Sequence, residues 1–283
     1  MTRAVGDQIL DAARRLSEAG IDSPLLDTQL IMARALGCSR LDVIAHSERM
    51  LADSQLSLFT FMLEKRLARC PLPYILGRKE FYGLELTVGT GVLIPRPETE
   101  TLVEECVRRV GQRACLLADI GTGSGAIAVA LAASLPESRV YATEISQPAA
   151  EVARANVEKH SLAQRVSVLM GDLLEPLVGL GLLFDAIVSN PPYIPTDEIA
   201  TLAPEIRLYE PAGALDGGPD GLDSYRRLFP ESVGLLREGG FVAVEIGAGQ
   251  ADAVRSIASA AGFSKIEVVP DLAGIGRVVI AYT

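Results

Sequence analysis

Asn190-Pro191-Pro192-Tyr193 comes directly after the short apolar run Phe184–Ser189. As a strand, that run delivers Asn190 to the carboxyl edge of a sheet, where open α/β folds bind ligands. The two prolines stiffen the chain beyond Asn190 and leave backbone carbonyls with no helix to join. The Asn190 side-chain oxygen and the Pro191 carbonyl can then accept the two hydrogens of one planar NH2 group, and Tyr193 can cover its face. Such a pair suits one reaction. A delocalised amide or ring-bound amino nitrogen is a poor nucleophile. Holding both hydrogens orients it and favours the pyramidal geometry it adopts in attacking a methyl on a sulfonium. The contribution is alignment for in-line displacement and stabilisation of developing positive charge. No Cys or His nucleophile is required, and the two histidines, His46 and His160, fall in helical stretches and read as structural. Asn-Pro-Pro alone is also a common loop punctuator. Its weight comes from the residues that precede it.

Gly121-Thr122-Gly123-Ser124-Gly125 lies between the buried-strand pattern of Cys115–Ile120 and a helical stretch over Ser124–Ser134. Glycines there let the backbone turn sharply and let a ligand approach the main chain. Nicotinamide and flavin enzymes use similar turns, so the pattern leaves the ligand open. Thr122 occupies the first glycine position of a GxSxG elbow, which argues against Ser124 as a hydrolase nucleophile. Glu144 ends the next strand, nineteen residues beyond Gly125, where an acid can accept both hydroxyls of a ribose. Asp172, in Met170-Gly171-Asp172-Leu173, comes after the third strand and reads equally as a turn aspartate or an acceptor for an adenine amino group.

The elements that must position these residues alternate. Strands are expected at Cys115–Ile120, Arg139–Thr143, Val166–Met170, Phe184–Ser189, Phe241–Ile246, Lys265–Val269 and Arg277–Ala281, with helices at Ser124–Ser134, Gln147–His160, Asp223–Leu236 and Gln250–Ala261. That order predicts a mainly parallel sheet covered on both faces. The last two strands lack a crossover helix, so the final one should pair antiparallel. The first third of the chain reads as helices. Ile9, Ala12, Ala13 and Leu16 share one face; Ser23 and Pro24 open a second helix whose apolar face would be Leu26, Leu30, Ala33 and Leu36, ended by Gly37. A β-hairpin is expected over Lys79–Ile94, and Pro97 as the first residue of the next helix.

The 283 residues carry a formal net charge of −10. Residues 1–76 hold nine basic and nine acidic groups, so the whole excess of acid lies in residues 77–283. A basic nucleic-acid groove is therefore disfavoured, and two units with different partners are expected. The longest apolar runs fall well short of the ~20 residues that a membrane span needs. No secretion signal stands at the start, and Cys38, Cys70, Cys106 and Cys115 are too far apart for a metal or redox motif. A cytoplasmic chain with free thiols and no metal is expected.

Together these motifs resemble S-adenosylmethionine-dependent methyltransferases that carry Asn-Pro-Pro-Tyr, and most closely the HemK-type release factor glutamine methyltransferases. The resemblance spans nearly the whole chain. It is carried further by Pro71-Leu72-Pro73-Tyr74-Ile75-Leu76-Gly77, Phe81-Tyr82-Gly83-Leu84, Ile94-Pro95-Arg96-Pro97-Glu98-Thr99-Glu100, Glu210-Pro211, Ala214-Leu215-Asp216-Gly217-Gly218 and Asp220-Gly221-Leu222. It implies an α/β fold: a seven-stranded Rossmann-like sheet over residues 96–283, a helical substrate-recognition domain over 1–76, and a linking β-hairpin over 77–95. It implies transfer of a methyl group to N5 of the glutamine in the Gly-Gly-Gln loop of class 1 bacterial release factors, by a monomer that contacts no nucleic acid. By the same resemblance Gly121, Thr122, Gly123, Ser124, Gly125 and Glu144 bind S-adenosylmethionine, and Asp172 and Leu173 flank its adenine. Asn190, Pro191, Pro192 and Tyr193 hold the glutamine, with Asn190 also touching the cofactor; Asn190, Pro191 and Tyr193 are the catalytic set. Two positions depart from the family: Pro73 stands where a polar residue is frequent, and Glu144 where aspartate is common. The alternatives are a ribosomal-protein glutamine methyltransferase, a DNA adenine methyltransferase, a non-catalytic binding module and a nicotinamide oxidoreductase. The charge disfavours the DNA enzyme, and the last two leave Asn190–Tyr193 without a use.

Overall fold

The computed structural model describes residues 3–271 and 273–283. The chain divides into two compact units, one formed by residues up to Arg78 with Ala203–Tyr209, the other by Lys79–Leu202 with Glu210–Thr283.

The first unit packs helices Val5–Glu18, Pro24–Leu36, Arg40–Ala45, Asp53–Leu67 and Leu72–Leu76 around Leu16, Ile31, Met32 and Phe59. Their ends obey local chemistry. Gly37 closes the second helix at φ +67°, and Ser39 and Asp42 form a reciprocal capping box on the third. Pro73 sits in the first turn of Leu72–Leu76, where its missing N–H costs no hydrogen bond. One expectation fails here. Ala33 is buried as expected and Leu36 packs against the core, but Leu26 is 40% exposed, and the second helix also buries Asp27, Thr28, Ile31, Met32 and Ala35. The reason is a charge: Asp27 Oδ2 accepts from Arg66 Nε at 2.7 Å inside the bundle. Arg66 and Arg69 also donate to Glu205 Oε1, at 3.1 and 3.0 Å, which ties the distant helix Pro204–Tyr209 into this unit. No feature of residues 203–209 marks that membership in advance, because the pairing partners lie about 140 positions away.

A hairpin of β1 (Arg78–Phe81) and β2 (Leu84–Thr87) follows, all but its first residue in the second unit. Its central residues Tyr82 and Gly83 both have positive φ, +52° and +71°, the requirement of a type I′ turn. The paired strands are shorter than expected, and residues 88–98 continue without regular structure. Then come β3 (Cys115–Ile120), β4 (Ser138–Glu144), β5 (Val166–Met170), β6 (Phe184–Ser189), β7 (Leu236–Glu245), β8 (Lys265–Pro270) and β9 (Gly276–Tyr282). They form one sheet in the order β5-β4-β3-β6-β7-β9-β8, parallel except for β9, which is antiparallel to both neighbours. Alternate residues of each strand feed opposite cores. Leu117, Ala142 and Ala186 pack with helices Thr99–Val110 and Ala126–Ser134; Ala118, Ile187 and Val242 pack with Asp223–Ser232 and Ala251–Ala260. The helix after Pro97 starts two residues later than expected, at Thr99, because Arg96 and Pro97 accept from the Thr99 and Glu100 N–H groups in a preceding turn.

Besides Phe81 and Leu86 in the core, a buried polar side chain fastens the hairpin to the sheet layer. Asn156, on helix Gln147–Lys159, accepts from Thr87 N at 2.7 Å and donates to the carbonyls of Thr87 (2.9 Å) and Ser124 (2.8 Å). Removing it leaves three backbone groups unsatisfied. Asn156→Ala is therefore expected to lose about 2–4 kcal/mol of unfolding free energy, measured by urea denaturation; a loss under about 1 kcal/mol would show that water replaces the clamp.

Candidate functional site

A cavity of about 520 Å3 opens where β3, β4 and β6 end. Its floor is the turn after β3. Gly121 and Gly123 have φ of +69° and +57°, and a Cβ at either would meet no protein atom within 4 Å, so their backbone faces the cleft. Gly125 differs. It does not line the cavity, and a Cβ there would stand 3.2 Å from the Cα and Cβ of Ala153, so its bareness serves helix packing. Beneath the turn, burial pushes the Asp119 carboxyl up to about 7, against hydrogen bonds from Thr122 Oγ1 (2.5 Å) and Ala128 N (3.0 Å) that favour the anion.

Glu144 reaches the cavity from the end of β4. Its Oε2 accepts from Gly123 N at 2.8 Å and its Oε1 from Ser146 N at 2.9 Å, which fixes the carboxylate across the glycine turn. Each oxygen keeps a further lone pair, so two hydroxyls can still be accepted. Beside it Ile145 is 68% exposed on the cavity wall, an apolar surface for a planar base. Leu173 lines the same region with φ +44°, a strained backbone for a branched side chain. Asp172 also lines it, and its Oδ2 accepts from Arg227 Nη2 at 2.7 Å. These features test whether S-adenosylmethionine fits. Open glycine backbone, a fixed carboxylate with spare acceptor capacity and flanking apolar side chains supply what an amino-acid moiety, a ribose and an adenine need, so the donor set fits.

Asn190, Pro191 and Pro192 form the opposite wall. Asn190 Nδ2 donates to Thr99 Oγ1 at 3.0 Å, and Thr99 Oγ1 donates to Glu245 Oε2 at 2.6 Å. The Asn190 amide is thereby oriented, with Oδ1 as the end left for a substrate. Tyr193 does not line the cavity; its hydroxyl donates to the other Glu245 oxygen at 3.3 Å. Burial and the adjacent Glu245 push the Tyr193 phenol up to about 12, so it stays a donor. Burial also pushes the Glu245 carboxyl up, opposed by the Thr99 and Tyr193 hydroxyls.

The loop after Tyr193 is held by the late glycine-rich segment. Ile194 N donates to Leu215 O, Gly217 N to Ile194 O, and Thr196 Oγ1 to Asp216 Oδ1 at 2.7 Å. A Cβ on Gly217 would lie 2.8 Å from Tyr193 Cα, and one on Gly221 2.3 Å from Tyr193 O. Gln250 Nε2 donates to that same carbonyl at 2.9 Å. Glu210 binds the other margin, accepting from Ile94 N at 3.2 Å and Arg96 Nη2 at 2.6 Å. Thr99 lies in the Ile94–Glu100 segment that carries the resemblance, and Pro95, Arg96 and Thr99 do line the cavity; Glu245, Gln250 and Ile145 escape sequence reading. Only Ile145 leaves a signal there, as an apolar residue just past a strand end.

The N-terminal part of the chain matches the family model described as the PrmC N-terminal domain over residues 8–77, and residues 97–207 match the methyltransferase small domain. The chain is 46% identical to the release factor glutamine methyltransferase of Moorella thermoacetica, over 96% of each, and 44% identical to that of Geobacter sulfurreducens, over 96% of this chain and 94% of the other. Among solved structures, a methyltransferase from Pyrococcus furiosus superposes with a TM-score of 0.56 at 20% identity, covering 77% of this chain and 98% of that one. The N-terminal domain of human METTL16 in complex with SAH gives a TM-score of 0.54 at 20% identity, covering 77% and 82%. These two likenesses concern the fold.

Glu144→Ala removes the carboxylate offered to a ribose and is expected to weaken S-adenosylmethionine binding roughly ten- to a hundredfold. Isothermal calorimetry showing unchanged affinity would refute that role.

Proposed function

The chain belongs to the family of release factor glutamine methyltransferases, and we propose that Asn190 Oδ1 and the Pro191 carbonyl are the acceptors that hold the glutamine amide while it is methylated. The reaction is methyl transfer from S-adenosylmethionine to the side-chain amide nitrogen of a release factor glutamine. When bound, the cofactor supplies an electrophilic methyl group on a sulfonium. The protein's part is orientation. Two acceptors on stiff backbone fix both N5 hydrogens and so the direction of the nitrogen lone pair. They also stabilise the positive charge that grows on nitrogen as the new bond forms. Asn190 cannot take up the proton that N5 then loses, so it leaves to water. The carrying observation is the commitment of Asn190 Nδ2 to Thr99, which turns Oδ1 into the free end of the amide.

On this reading the target is the glutamine of the Gly-Gly-Gln loop of class 1 release factors, methylated in the cytoplasm by a monomer without direct nucleic-acid contact. Among the described residues no helix is long and apolar enough to cross a membrane. Glu144, Gly121 and Gly123 hold the cofactor with Thr122 and Ser124, and Ile145 and Leu173 flank its adenine. Residues 1–76 recognise the release factor: they are charge-neutral, and they expose Leu10, Leu41 and Phe61. Identity of 46% and 44% to two release factor glutamine methyltransferases over 96% of this chain, the N-terminal unit included, favours a release factor over a ribosomal protein.

Incubation with labelled S-adenosylmethionine and purified release factor, then mass spectrometry, should place one methyl on that glutamine; label only in ribosomal protein or DNA would overturn the reading. Asn190→Ala is expected to lose about 10²–10³ in turnover with little change in cofactor affinity, and near-wild-type turnover would count against the acceptor role. Leu41→Glu combined with Phe61→Glu should raise KM for release factor several-fold at constant S-adenosylmethionine affinity. An unchanged KM would remove those residues from the recognition surface.

A further inference from the structure

Two buried residues outside the Asn-Pro-Pro-Tyr motif stand in line behind it. Thr99 is 4% exposed and Glu245 2%. They come from the start of helix Thr99–Val110 and the end of β7, separated by 146 positions, and meet only because the sheet and its covering helix bring them together. We propose that Glu245 and Thr99 are positioning residues that set the sense of the Asn190 amide, so that its oxygen and not its NH2 faces the glutamine substrate. The inference rests on the acceptor role of Asn190 and deepens it.

Direction is what the chain of hydrogen bonds carries. Hydrogen bonds from the Thr99 and Tyr193 hydroxyls favour the Glu245 anion against its burial, and an ionised carboxylate only accepts. The Thr99 hydroxyl has one hydrogen, and at 2.6 Å from Glu245 Oε2 that hydrogen points to the carboxylate. Thr99 Oγ1 is then left with lone pairs toward Asn190, and it selects the Nδ2 end at 3.0 Å. Were the Thr99 hydrogen released, the hydroxyl could donate instead, and the Asn190 amide could turn over and present NH2 to an NH2. Hydrogen bonds in series also polarise one another, so the buried carboxylate draws positive charge toward Asn190 Nδ2 and leaves Oδ1 a stronger acceptor. The same carboxylate accepts from the Tyr193 hydroxyl, so one group reaches both ends of the motif. Thr99 is not an ordinary helix cap, because its hydroxyl bonds a remote strand and not its own first turn.

The test compares Thr99→Val, Thr99→Ser and Glu245→Gln with wild type. Val keeps the shape and removes the relay, Ser restores the hydroxyl, and Gln replaces an obligatory acceptor by a group that can also donate. Thr99→Val and Glu245→Gln are expected to lower kcat at least tenfold, with KM for release factor and Kd for S-adenosylmethionine within about threefold of wild type. Thr99→Ser should return to within about threefold in kcat. A Thr99→Val enzyme with wild-type kcat, a defect in KM alone, or a defect that Thr99→Ser fails to relieve would overturn the proposal. A second readout needs no activity. In protein labelled with 15N-asparagine, the Asn190 side-chain NH2 signal, assigned by its loss in Asn190→Asp, should shift in Thr99→Val and keep its place in Thr99→Ser. An unshifted signal in Thr99→Val overturns the relay. Wild-type enzyme that fails to methylate release factor, with the NMR shift still present, would instead overturn the functional reading alone.

Discussion

The cleft depends on β3 pairing in parallel with β4 on one side and β6 on the other. At that junction the crossovers diverge, one toward each edge of the sheet, and the carboxyl ends are left uncovered. The register sets the height of everything over it. Ile120 stands opposite Thr143 on β4 and opposite Ser189 on β6. Gly121, Glu144 and Asn190 are each the next residue, so three cavity-lining positions far apart in the chain emerge at one level. The Ser189 hydroxyl donates to Ile120 O at 2.7 Å and locks the two strand ends together. A slip of one residue in either pairing would turn these side chains to the opposite face.

Beyond the strand ends, the walls are loops, and loops keep their shape only through partners. Close backbone approach does much of this. Gly217 and Gly221 lie against Tyr193 at distances no Cβ could share, and Gln250, beside Gly221, fixes the Tyr193 carbonyl. Glu210, buried, draws in Ile94 and Arg96 from the segment before helix Thr99–Val110. The result is a reaction site whose acceptors have little freedom to rotate. An amide nitrogen demands that, because its reactivity depends on the angle at which its lone pair is held.

The parts legible in the sequence are those written locally. Strand and helix alternation, the glycine turn, the strand-end Glu144 and the proline-stiffened Asn190 all show within windows of a dozen residues, because backbone geometry and hydrophobic periodicity act over that range. What stays illegible is long-range pairing. Nothing near Asn156 announces that it clamps Thr87, and nothing near Glu245 announces Thr99. The second helix illustrates the same limit from the other side: apolar periodicity points to Leu26, but the buried Asp27–Arg66 pair rotates the helix so that an acid lies inside. Gly125 shows a local pattern with a non-local cause, since its missing side chain makes room for Ala153. Tyr193 belongs to the motif by sequence, yet its hydroxyl is engaged behind the cleft on Glu245.

The choice of a neutral asparagine at position 190 has a consequence for how the reaction ends. On the proposed reading, a primary amide brings two hydrogens, one for Asn190 Oδ1 and one for the Pro191 carbonyl. The methylated amide has a single N–H, so only one acceptor is satisfied and the other is left facing a methyl group. A desolvated acceptor without a donor costs about 1–3 kcal/mol, which corresponds to roughly five- to a hundredfold weaker holding of product than of substrate. The penalty falls on the atoms that align the nitrogen, so it also opposes a second transfer: a secondary amide cannot be held by both acceptors with its lone pair on the reactive line. The proposed pair of acceptors would therefore serve alignment and would disfavour a second methylation. That holds only while the amide keeps its sense, and the proposed relay from a buried carboxylate through one hydroxyl is a compact way to fix it.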